Sequence, residues 1–140
     1  MNLIEQKILV VVAHPDDELL GLGGTLNHLV QDNKCQVHVV ILGEGITSRS
    51  LERNTNDWVK ELEEHKRNIS DAKKLIGYQT LSTFDLPDNR FDSTPLLDII
   101  KIIEGEKAKF QPDIVFTHHG GDLNIDHQRT FEAVTTACRP

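Results

Sequence analysis

A chain of 140 residues is the size of one domain. Its 15 Lys and Arg against 22 Asp and Glu leave a net charge of −7 with no basic run, which excludes an electrostatic footprint for nucleic acid or for an anionic membrane surface. No apolar stretch approaches the roughly 18 residues that span a bilayer, and two cysteines, Cys35 and Cys138, make no disulfide framework.

Four blocks repeat one rhythm: an apolar run, a polar break, then a helical period. Lys7-Ile-Leu-Val-Val-Val-Ala13 is apolar at consecutive positions and rich in β-branched residues, as suits a strand covered on both faces. It is too short for a signal-peptide core, and Glu5 precedes it where basic residues would be expected, so a cytoplasmic protein is expected. Leu19, Leu22, Leu26 and Leu29 then mark one face of a helix. Gly21, Gly23 and Gly24 inside it read as close packing on a sheet or as a loose first turn. Cys35 to Leu42 is a second strand, followed by a loop and a long helix from about Asp57 to Ile76 with Gly77 as its C-cap. Thr80 to Phe84 is a third strand, followed by a polar loop and a helix from about Pro95. Asp113 to Thr117 is a fourth, and a last helix begins near His127. The alternation predicts an α/β, Rossmann-like three-layer fold: a parallel sheet with helices on both faces. In such sheets ligands bind beyond the carboxyl ends of the strands.

Every polar cluster follows a strand, so the clusters converge on that rim. After the first strand come His14, Asp16, Asp17 and Glu18, a group that suits a divalent cation. A catalytic zinc takes three His and carboxylate ligands and leaves a position for water. His14 and Asp17 can point to one centre across a tight turn, and Asp16 can then face the water without being a ligand. The bland alternative is a turn and helix cap, for which Pro-Asp-Asp-Glu is equally good chemistry. After the fourth strand, His127 is the choice for a third ligand, with Asp126 beside it to orient its imidazole; the alternative is a solvated loop. His118 and His119 share the rim, but the following Gly-Gly suggests a backbone turn. His38 reads as a satisfied core or edge residue, and His28 and His65 as structural or exposed. Arg49 and Arg90 can each clamp a substrate hydroxyl or anionic group, or else pair with Glu52 or Asp92. Glu44 can accept from a sugar hydroxyl or be a plain loop residue.

Ala13-His-Pro-Asp-Asp-Glu18 together with Asn124-Ile-Asp-His127 resembles the PIG-L family, the LmbE-like zinc N-deacetylases. The resemblance covers the chain from Lys7 onward. It implies that His14, Asp17 and His127 bind Zn2+, that Asp16 is the general base, that Asp126 supports the site and that Arg49 touches substrate. It implies hydrolysis of the acetamide of an N-acetylated sugar of the N-acetylglucosamine type, a small-molecule substrate, releasing acetate and an amino sugar. Many relatives carry a histidine where this chain has Asn124; asparagine can donate a hydrogen bond to an oxyanion but supplies no proton at neutral pH. Family domains also run further, so residues 1–140 are expected to be the N-terminal portion of one such domain, with the sheet incomplete at its C-terminal side.

Other classes compete. A catalytically idle, metal-holding sugar-binding domain would hold zinc and release no acetate. A nucleotide-sugar transferase would want a phosphate cradle, and Gly21 to Gly24 has no nearby Lys. A dinucleotide-binding domain would want a full GxGxxG directly after the first strand, which is absent. A homo-oligomer is compatible with the sequence.

Overall fold

The structure is a computed structural model and describes residues 3–140. Strands and helices alternate: β1 (Lys7–Val12), α1 (Asp17–Gln31), β2 (Gln36–Gly43), α2 (Val59–Ile76), β3 (Thr80–Leu86), α3 (Leu96–Phe110), β4 (Ile114–Phe116) and α4 (Ile125–Ala137). The strands form one parallel sheet in the order β3-β2-β1-β4. Lys7 to Val12 lie opposite Gln36 to Ile41, and Ile8 to Val10 opposite Ile114 to Phe116. The direction of winding reverses beside β1, so the carboxyl ends of β1 and β4 flank the topological switch point.

β1 and β2, the central pair, are nearly continuous in apolar residues because both faces are covered, whereas the edge strand β3 mixes Thr, Ser and Asp with its apolar residues. Ile8, Val10 and Val12 join Val37, Val39 and Ile41 against Leu26 and Leu29 of α1 and Ile76 of α2. Their neighbours Leu9, Val11 and Ala13 join Val40 and Leu42 against Ile99 and Ile103 of α3 and Ala133, Val134 and Ala137 of α4. The expected α/β architecture is therefore observed, with helices on both faces. His38 is the buried polar residue of β2. It is buried as expected, with Nδ1 bonded to Thr80 Oγ1 at 2.8 Å and Nε2 to Glu106 Oε2 at 3.0 Å.

Gly77 ends α2 in the left-handed region at φ 93°, as its position predicts, and its N–H donates to Lys73 O. Two helix starts differ from the sequence reading. A 3-10 turn, Thr55–Trp58, precedes α2, and the Asn124 side chain starts α4 two residues before His127 by accepting from the N–H groups of Asp126 and His127. The α1 glycines also act differently. Only Gly23 faces another element, with Ile76 of α2 3.9 Å from where its Cβ would lie, while Gly21 and Gly24 face open space. They mediate no close packing on the sheet. Gly24→Ala should therefore stabilise the fold by about 0.5–1 kcal/mol through lost chain entropy. A lower urea midpoint for that variant would contradict the open-space placement.

Candidate metal centre

β1 ends against the last strand's loop: the Ala13 N–H donates to His118 Nε2 at 2.9 Å. The chain then turns sharply through His14, Pro15 and Asp16. Gly45, at φ 73°, lies so close that a Cβ there would come within 2.6 Å of Pro15 Cδ, and the loop after β2 is thereby pressed on the turn. Asp17 folds back and its Oδ2 accepts the His14 N–H at 2.8 Å. Asp16 has φ 126° and ψ −25°, a region that costs an L-residue on the order of 1–3 kcal/mol.

His14, Asp17 and His127 each bring a ligand atom within 4.8 Å of the other two. His14 Nδ1 lies 3.6 Å from Asp17 Oδ2, and His127 Nε2 lies 3.5 Å from Asp17 Oδ1. The opposite ring nitrogens are held by carboxylates: His14 Nε2 by Asp126 Oδ2 at 2.9 Å, and His127 Nδ1 by Asp122 Oδ2 at 2.9 Å. A ring N–H given to each carboxylate leaves a lone pair on each imidazole facing Asp17. Burial works against a charge on His14, but the Asp126 hydrogen bond and the charges of Asp17, Asp126 and Asp88 outweigh it and hold its pKa above the ordinary value. The acidic cluster thus draws positive charge, and the two imidazoles with one carboxylate are a donor set that fits a divalent transition-metal ion.

Asp126 has a different partner from the one its position suggested. It backs His14, not His127, because it is fully buried beneath the turn; its oxygens also accept the N–H groups of Asn89 at 2.6 Å and Phe91 at 2.9 Å. Asp122, which sequence reasoning passed over, backs His127. The Asn124 N–H and then the His127 ring hold its carboxyl down at about 2. Asp122→Ala should weaken metal binding by about 10–100-fold while leaving the fold intact, measured by competition with a chromophoric chelator.

His118 does more than form a turn. Its ring stacks on His127 with centroids 3.9 Å apart at 13°, and its Nε2 accepts from the backbone. Burial, foremost, lowers its pKa to about 4. His119 is exposed. Asp88 was also missed: it is buried, its Oδ1 lies 3.4 Å from His14 Nε2, and its Oδ2 accepts from the N–H and hydroxyl of Ser48. With His14 and Asp126 it forms a second convergent group. Its carboxylates are occupied by the loop hydrogen bonds just described, so the first group has the freer donor atoms.

Asp16 presents an exposed side chain at the rim; partial desolvation and then the Asp17 charge push its carboxyl above the usual range. Asn124 is engaged elsewhere. Besides capping α4, it donates from Nδ2 to Asn89 Oδ1 at 3.2 Å. Arg49 is exposed on a 3-10 turn, Thr47–Arg49, with no side-chain partner among the described residues, and does not pair with Glu52. Arg90 does not pair with Asp92; its guanidinium donates to the Leu51 carbonyl at 2.9 Å. Glu44 already accepts from Thr47 and from two Arg53 contacts at 2.9 Å, which leaves one acceptor position on a buried side chain for a sugar hydroxyl. A groove of about 970 Å³ between α2 and the β2–β3 side opens beside Pro15, but none of the three donors lines it.

The fold recurs in known proteins. Over 137 residues the chain is 29% identical to the uncharacterized deacetylase YaiS of Escherichia coli K12, covering 94% of this chain and 68% of that protein. N,N'-diacetylchitobiose deacetylase from Pyrococcus horikoshii, solved with its inhibitor MPG, shares the fold with a TM-score of 0.77 at 21% identity, over 94% of this chain and 49% of its own. GalB of Pseudomonas putida KT2440, a 4-carboxy-2-hydroxymuconate hydratase, matches with a TM-score of 0.75 at 22% identity, over 94% and 55%. The chain thus spans about half the length of these solved structures. A family model described as GlcNAc-PI de-N-acetylase matches residues 9–138, and the chain belongs to that family, PIG-L.

Proposed function

We propose that this chain carries the centre of a zinc-dependent N-deacetylase acting on the acetamide of an N-acetylated sugar of the N-acetylglucosamine type. The carrying observation is the convergence of His14, Asp17 and His127, each imidazole backed by its own carboxylate, beside a strained and protruding Asp16. The family description and the diacetylchitobiose deacetylase neighbour support an N-acetylated sugar as substrate. Among the described residues no helix is long and apolar enough to cross a membrane, and both cysteines are free; we place the domain in the cytoplasm.

His14, Asp17 and His127 would hold the ion. When bound, zinc supplies Lewis acidity, polarising the amide carbonyl and lowering the pKa of water from 15.7 toward roughly 7. Asp16, with its raised pKa, takes the proton from the attacking water. It returns that proton to the departing nitrogen as the C–N bond breaks, so acetate and a free amine leave. Arg49, exposed on the rim, is the candidate to touch a substrate hydroxyl. Asn124 acts by seating His127 on the first turn of α4.

The hydratase neighbour favours a second reading, in which the same centre directs water to a carbon–carbon double bond. The test is to load the protein with zinc, confirm the stoichiometry by elemental analysis, and assay acetate release from a panel of N-acetylated sugars beside hydration of 4-carboxy-2-hydroxymuconate. Acetate release supports the deacetylase. Hydration alone replaces it, and bound zinc with neither product leaves a metal-holding domain.

A further inference from the structure

Glu18 follows Asp17 directly, yet its side chain is fully buried and belongs to neither convergent group of ligand atoms. Its Oε2 accepts the N–H of Asp16 at 3.2 Å. On the other side, the Asp16 carbonyl accepts from Leu19 at 3.0 Å and Leu20 at 2.8 Å. The one non-glycine residue of the His14–Asp17 turn with positive φ is therefore gripped at both of its backbone polar groups. Such a conformation persists only where its surroundings over-determine it.

A helix cap alone does not call for this arrangement. A short Ser or Asp side chain in solvent would serve as well, whereas burying a carboxylate is costly. Glu18 Oε1 has no hydrogen-bond partner among the described residues, nor has the buried hydroxyl of Tyr78. Burial, and then the Glu18 charge, push the Tyr78 phenol up, so it stays neutral beside the carboxylate. The chain carries a costly buried acid whose one hydrogen-bonded oxygen is spent on the backbone of the residue that projects at the rim.

We propose that Glu18 is a positioning residue: its buried carboxylate clamps the Asp16 N–H and fixes the backbone rotation that presents the Asp16 carboxylate to the metal centre. The catalytic part of this inference rests on the role of Asp16 proposed above; the clamp itself does not.

Three variants test it. Glu18→Met removes the acceptor at similar volume, Glu18→Asp keeps the charge and withdraws the oxygen by one methylene, and Glu18→Gln keeps an acceptor oxygen. Amide hydrogen exchange at Asp16 is read by NMR in the metal-free protein; metal affinity, kcat and KM are read in the loaded one. The Met and Asp variants should show Asp16 exchange at least about tenfold faster and kcat down by about 10–100-fold, with KM and metal affinity within about threefold of wild type. The Gln variant should restore protection and at least about a third of kcat. If the Met variant does not fold, the Asp variant carries the same readings. The proposal is overturned if Asp16 stays protected without the acceptor, if it is freed while kcat holds, or if metal affinity falls in step with kcat. Should wild-type protein release no acetate, the deacetylase reading fails and Asp16 exchange still decides the clamp.

Discussion

His127→Ala should lower affinity for the metal by more than about 100-fold and leave the purified protein without stoichiometric ion. Losing a supporting carboxylate alone costs about 10–100-fold, and this change removes a donor together with the purpose of Asp122. The fold should survive, because His127 is only partly buried and α4 keeps its cap on Asn124 and its packing through Ala133, Val134 and Ala137. Elemental analysis and a melting curve settle both points. Retained zinc would remove His127 from the ligand set and shift attention to the group of His14, Asp88 and Asp126.

Asp16→Asn should keep the ion and lose the reaction. Asparagine matches aspartate in shape but accepts no proton, and general acid–base catalysis contributes about 10²–10⁴-fold. Acetate release should fall by that factor with metal stoichiometry unchanged. The pH profile gives an independent sign. A base must be unprotonated, so kcat/KM of wild type should rise with pH through the Asp16 pKa, which partial desolvation and Asp17 hold above the ordinary carboxylate range. The acid limb should vanish in the variant. An Asn variant with wild-type rate would refute the role of Asp16.

The layered fold and the meeting of His14 with Asp17 were legible in the sequence for one reason: each depends on residues adjacent to a strand end. Ile8 to Ala13 announce a doubly covered strand by composition alone, and the chain must leave the sheet at His14. His127 was legible once α4 was placed. What backs the imidazoles was not, because it depends on how loops close. Asp126 is next to His127 in sequence, but on the first turn of a helix neighbouring side chains point apart, and it reaches His14 instead. Asp122 and Asp88 lie in irregular segments whose paths no periodicity describes. Asn124 carried a local signal, an N-cap residue with an acid two positions on, and capping is the task the structure gives it. Glu44 was masked by Arg53, nine residues away and brought back by the loop after β2.

The buried carboxylate of Asp126 joins three parts of the molecule: the turn after β1 through His14, the segment after β3 through Asn89 and Phe91, and the start of α4. An ion held by His14 would share this carboxylate with residues 87–93, and any coupling free energy between ion and segment would be reciprocal. A ligand that ordered the segment and bound the ion-loaded protein more tightly would raise ion affinity by the same factor by which the ion raised its own. Asn89 is thus a place from which a ligand would reach the His14 site through one shared carboxylate, without touching the metal.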